Sequence, residues 1–113
     1  MKEIKAILQP SVLTKVILAL KEHPGLPGVT VSEVKGFGKS RAKNAQDKVV
    51  HESVDYALKM KLEIVVPDNL WKEVVELIEK TSHTGRPGDG KIFIYDIKEA
   101  VKISGGERGE KAI

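Results

Sequence analysis

Ile4, Ala6 and Leu8 occupy alternate positions in the run Ile4 to Gln9, the pattern of a strand packed on a core from one side, and Pro10 ends it. Leu13, Val16, Ile17 and Leu20 then recur at helical spacing with Lys15, Lys21 and Glu22 on the solvent side, which predicts a helix capped by Ser11, running to Glu22 and stopped by His23-Pro24-Gly25. Pro27-Gly28 turns into a second strand, Val29 to Phe37, in which Val29 and Val31 alternate with Thr30 and Ser32. From Gly38 to Lys48 the chain is polar and basic with no apolar period, so an exposed loop is expected there. Period-two alternation resumes around Leu58 to Val66, where Leu62, Ile64 and Val66 interleave with Lys61, Glu63 and Val65. Pro67-Asp68 opens a second helix to about Ser82, with Leu70, Val74, Val75 and Ile78 on one stripe opposite Lys72, Glu73, Glu76 and Lys80. A last strand covers Lys91 to Ile97, with Ile92 and Ile94 facing one way and Phe93 and Tyr95 the other.

The order strand, helix, strand, strand, helix, strand predicts an α+β, ferredoxin-like (βαββαβ) sandwich: an antiparallel sheet with two helices on one face and a long loop between strands 2 and 3. Residues 1–104 make a single domain, the long loop covers about 38–56, and 105–113 are expected to form a mobile C-terminal tail. A length of 113 residues with 41% hydrophobic content suits one small core that gains from oligomerisation. The absence of cysteine excludes a disulfide framework and any thiolate metal site. No long apolar run predicts a membrane span, and Met1-Lys2-Glu3-Ile4-Lys5 lacks the apolar core of a signal peptide, so a cytoplasmic protein is expected. A net charge of +3 suits local handling of phosphate without demanding nucleic acid. Phe93 and Tyr95 are too few aromatics for a sheet that stacks bases.

Candidate chemistry concentrates in Thr84-Gly-Arg-Pro-Gly-Asp-Gly-Lys-Ile-Phe-Ile94. Three glycines permit tight conformations in which consecutive N–H groups converge on an anion, and Lys91 adds a point charge where the next strand begins, the outline of a phosphate cradle. No nucleophile, base and orienting group can be assembled, so an enzyme is not expected.

That stretch, with Thr30-Val-Ser-Glu-Val-Lys-Gly-Phe-Gly38, Glu63-Ile-Val-Val-Pro-Asp68 and Gly106-Glu-Arg-Gly-Glu110, resembles the PII signal-transduction (nitrogen regulatory protein P-II) family over nearly the whole chain. The resemblance implies a homotrimer that binds adenine nucleotides in clefts between subunits and controls a partner through its long loop. Gly88, Asp89, Gly90 and Lys91 would then hold phosphates, Gly36, Phe37, Gly38 and Lys39 would line the same cleft, and Ile7, Thr30 and Val65 would surround the adenine. ATP or ADP is the implied ligand, with AMP and magnesium as further candidates. Lys59 and Lys61 match basic positions of the family, and Glu63 is placed to pair with Lys59.

The departures mark an atypical PII-like member with a divergent loop. Lys39-Ser40 stands where the family typically has Arg-Gln, which removes the ground for expecting 2-oxoglutarate. Lys102 and Ser104 replace two arginines after the last strand; Lys102 keeps one charge but loses bidentate geometry. Glu52 takes the position of the modifiable tyrosine, so uridylylation is not expected. Arg41, Lys43, Lys48 and Glu52 belong to the partner-binding loop, whose basic cluster favours an acidic surface on a membrane transporter, enzyme or regulator. The alternatives are a slow nucleotide-hydrolysing enzyme and a metal-responsive protein linked to metal efflux. Separately, Asp47, His51 and Asp55 are spaced by four and would share a face suited to a divalent ion only if the second half of the loop were helical.

Overall fold

The computed structural model describes residues 1–37, 48–51 and 54–113, with side chains at 1–37 and 56–113. β1 (Lys2–Leu8), α1 (Leu13–Lys21), β2 (Thr30–Gly36), β3 (Lys48–His51), β4 (Val54–Val66), α2 (Trp71–Ser82) and β5 (Gly90–Asp96) follow in chain order. The sheet runs β2-β4-β1-β5 with every pair antiparallel, and β3 adds to β4 outside that path. This is the ferredoxin-like α+β arrangement with one extra strand.

The alternation read in β1 and β4 decides which face is covered. Ile4, Ala6 and Leu8 are buried beside Leu62, Ile64 and Val66, and Val16, Leu20, Val74 and Ile78 of the two helices close the core from above. The other face carries Lys5, Ile7, Lys61, Glu63, Val65, Phe93 and Tyr95, with Phe93 and Tyr95 each 44% exposed. Lys5 donates to the Tyr95 hydroxyl at 3.3 Å and lies 4.9 Å from the ring centroid. Val31 shares the helix side with its partner Leu62 but stays 38% exposed, because β2 is the edge strand.

Four expectations need correction. Ser11 does not cap α1; a 3-10 turn, Pro10–Val12, leads in and Val12 holds the cap position. β4 starts at Val54 rather than near Leu58, because Lys48–His51 pairs with Val54–Ala57 as a two-stranded ribbon. His51 therefore sits opposite Val54, and Val50 opposite Asp55, on extended strands, so the helical face that would have aligned His51 with Asp55 is not formed; Asp47 lies outside the described residues. Residues 105–113 are folded rather than loose: Val101 bridges Arg108, Gly109–Ala112 forms a 3-10 turn, and the Lys102 N–H donates to the Glu107 carbonyl at 2.9 Å.

Candidate functional site

Gly85, Gly88 and Gly90 all hold positive φ, at 84°, 91° and 115°, so the turn after α2 has a backbone path that residues with a Cβ rarely follow. Asp89 closes this turn on itself. One carboxylate oxygen accepts from the Thr84 N–H at 2.8 Å and the Gly85 N–H at 3.2 Å, and the other accepts from the Thr84 hydroxyl. The Thr84 hydroxyl in particular, then the two N–H groups and His83, whose Nδ1 lies 3.7 Å away, hold the Asp89 carboxyl below its ordinary value of 3.8. The Asp89 carboxylate thus faces the turn itself, leaving the glycine backbone and Lys91 as the groups suited to an anion.

The turn is pinned to the sheet by its Gly88 carbonyl, which accepts from Gln9 Nε2 at 2.6 Å and Lys59 Nζ at 3.1 Å. Glu63 is not the partner of Lys59: Lys61 takes it, at 3.5 Å. Neither Gln9 nor the histidines stood out as sequence motifs, because their partners come through the fold. His23 Nε2 lies 2.9 Å from Glu73 of α2, and its Nδ1 accepts from the Gly25 N–H.

An expected result follows for the clamp. Asp89→Ala leaves two backbone donors and a hydroxyl on the turn without their acceptor, which costs about 1–2 kcal/mol at this partly exposed site, and calorimetry should find the melting point about 4–8 °C lower. Because the folded carboxyl titrates below its ordinary value, this stabilisation is complete above pH 3.8 and is lost as the pH falls through the lower folded value. The wild-type advantage over Asp89→Ala should therefore vanish only in strong acid; an advantage independent of pH would show that charge on Asp89 does not matter.

The expected site residues fall into two groups. Ile7, Gly88, Gly90 and Lys91 gather at one end of the sheet, where Ile7 and Lys91 are register partners and Leu8 pairs with Gly90. Gly36 belongs to that end too, two positions beyond Val34, the partner of Lys59; Phe37 follows it and is exposed. Thr30 and Val65 instead line a groove of about 320 Å³ with Glu3, Glu63, Gly28 and Ile113. Val65 pairs with Glu3, four residues along β1 from Ile7, so Ile7 and Val65 stand roughly 14 Å apart on one face. Lys102 lies in the turn after Val101 and reaches Glu107 at 3.8 Å. Gly38, Lys39, Arg41, Lys43 and Glu52 lie outside the described residues, as does the side chain of Lys48.

The two groups differ in charge as well as place. Lys59 and Lys91 flank the glycine turn, whereas Glu3 and Glu63 line the groove, Glu63 in an ion pair with Lys61, so positive charge gathers at the first and carboxylates at the second. Among the described residues no helix is long and apolar enough to cross a membrane.

Comparison with known proteins finds a match to the family model described as Nitrogen regulatory protein P-II over residues 1–107. The chain is 45% identical over 113 residues to a Nitrogen regulatory protein P-II of Rhodospirillum rubrum and 42% identical to that of Azospirillum brasilense, covering all of both chains in each case. It is also 42% identical, again over all of both chains, to the Nitrogen regulatory protein P-II 1 of Escherichia coli.

Proposed function

We propose, because the chain belongs to the nitrogen regulatory protein P-II family, that it is a homotrimeric regulator, not an enzyme, that binds ATP or ADP in clefts shared by neighbouring subunits and controls a partner through the loop at about 38–56. The observation that carries the reading is the separation of the expected ligand residues into two groups roughly 14 Å apart. One adenine cannot touch both Ile7 and Val65 of the same chain, whereas two chains brought edge to edge would offer the glycine turn of one against the groove of the other. The uncovered sheet face, with Ile7, Phe93 and Tyr95 among charged neighbours, supplies apolar surface for such an assembly.

Charge then orients the ligand. The phosphates go to the Gly88, Gly90 and Lys91 end, where backbone N–H groups and ammonium groups favour anions. The base and ribose go to the groove, where the Glu3 carboxylate, and the Glu63 carboxylate beside its Lys61 partner, accept from an exocyclic amine or ribose hydroxyls. Asp89 contributes by fixing the turn. Lys102 would keep one cation for the phosphates where the resemblance implies an arginine, and magnesium would add the remaining counter-charge. The partner, a membrane transporter or enzyme, would meet the basic loop from the cytoplasm.

Calorimetric titration with ATP, ADP and AMP, each with and without magnesium and 2-oxoglutarate, tests this. Saturable binding at one site per chain without phosphate release is expected, and Lys91→Ala should weaken it by about 10- to 100-fold through loss of a charged contact. Absence of binding by all three nucleotides, or a monomeric mass in light scattering, would refute the proposal.

A further inference from the structure

Gln9 meets the glycine turn across 79 residues of chain. Its backbone closes β1 at a fixed point: the Gln9 carbonyl accepts from the Val12 N–H at 3.2 Å, Pro10 follows, and Leu8 before it is buried in the core. From there Nε2 donates to the Gly88 carbonyl at 2.6 Å, and Lys59 Nζ donates to the same oxygen at 3.1 Å, so both lone pairs of one carbonyl are taken. The donors crowd the turn, since a Cβ at Gly88 would lie 3.2 Å from Gln9 Nε2 and 3.9 Å from Lys59 Nζ. They differ in charge. Gln9 is neutral, whereas Lys59 is an ammonium on a flexible stem that no carboxylate pairs with among the described residues, Glu63 going to Lys61 instead.

We infer that Gln9 is a positioning residue for the phosphate site: it holds the Gly88 carbonyl in place by itself when Lys59 leaves that carbonyl for a phosphate oxygen. The inference rests on the nucleotide reading above. An incoming phosphate attracts the ammonium charge to charge, a pull that a neutral amide does not feel, so Lys59 transfers and Gln9 stays. In a planar trans peptide the carbonyl of one residue and the N–H of the next point opposite ways, so whatever holds the Gly88 carbonyl also sets the aim of the Asp89 N–H. Without Gln9, release of Lys59 would leave a part-buried carbonyl with no donor and the turn with no fixed backbone direction to offer the anion.

Two measurements on the full chain test the inference. The first is melting without ligand. Either donor should then suffice, so Gln9→Met and Lys59→Met should each melt within about 2 °C of wild type, while the double variant should fall by about 5 °C or more, beyond the sum of the two. Additive losses would overturn the inference, because the donors would not be standing in for one another. The second is calorimetric titration with ADP. Gln9→Met keeps the length and the neutrality of the side chain but not its donor, and should weaken ADP about tenfold; Gln9→Lys, which restores a donor, should bind no more than about twofold more weakly than wild type. Equal affinity for Gln9→Met and wild type would overturn the inference, as would a loss shared by Gln9→Lys, or a loss accompanied by a lower mass in light scattering. A wild type that binds no ADP would remove the parent reading and this inference with it, an outcome seen before any variant is made.

Discussion

Gly90→Ala should be the most damaging glycine-to-alanine change among the described residues. A Cβ at position 90 would lie 1.8 Å from the Ile7 carbonyl oxygen and 2.9 Å from its carbon, and the residue holds φ at 115°. The obstacle is the backbone of β1, the strand between β4 and β5, so relief requires β1 or β5 to leave register. Combined strain and clash should exceed about 3 kcal/mol, lowering the melting point by more than about 10 °C. Gly85→Ala is the control, because its φ is 84° but the nearest atom to an added Cβ is 3.9 Å away, on His83. It should cost only about 1 kcal/mol, from φ alone. If both variants melt together, the close approach of β5 to Ile7 is not what demands glycine.

Mixing two inactive variants should restore nucleotide binding. Lys91→Ala removes one of the two cations beside the glycine turn, and Val65→Asp adds a third carboxylate to a groove that already holds Glu3 and Glu63. Each is expected to bind ADP poorly by itself. If a cleft takes its turn from one chain and its groove from the next, random mixing of equal amounts through unfolding and refolding makes about a quarter of clefts intact, because each half is sound with a chance of about one in two. The calorimetric stoichiometry should rise accordingly. A cleft contained in one chain predicts no recovery at any ratio, which would end the shared-cleft reading while leaving nucleotide binding as such untouched.

Elements whose stability comes from an apolar period were legible from the residues alone. Ile4, Ala6 and Leu8, and again Leu62, Ile64 and Val66, announce their strands because one face of each is buried, and Val74 and Ile78 announce α2 in the same way. Structure held by pairing was not legible. Lys48–His51 carries no alternation against a core, yet it finds partners in Val54–Ala57. The last residues fold through bonds such as Gly109 to Ala100, which leave no periodic trace. Within the candidate site, the glycines and Lys91 were identified from their chemistry, but the division into two groups depends on register, which a motif does not carry. The inward turn of the Asp89 carboxylate was hidden for a similar reason: a TGxxGDGK pattern specifies residue types, while the direction of one carboxylate is decided by which N–H groups lie nearest.

β4 runs for 13 residues without interruption, from the groove at Val65, past Lys59 at the glycine turn, to Val54 in the ribbon with β3. It therefore serves as a ruler with a phase. Removing two residues from each strand of the ribbon retracts its tip by about 7 Å and preserves which side chains face which way, whereas removing one from each retracts it by about half as much and turns the tip over. For a partner that reads the loop, reach and orientation are thus tied to the parity of chain length.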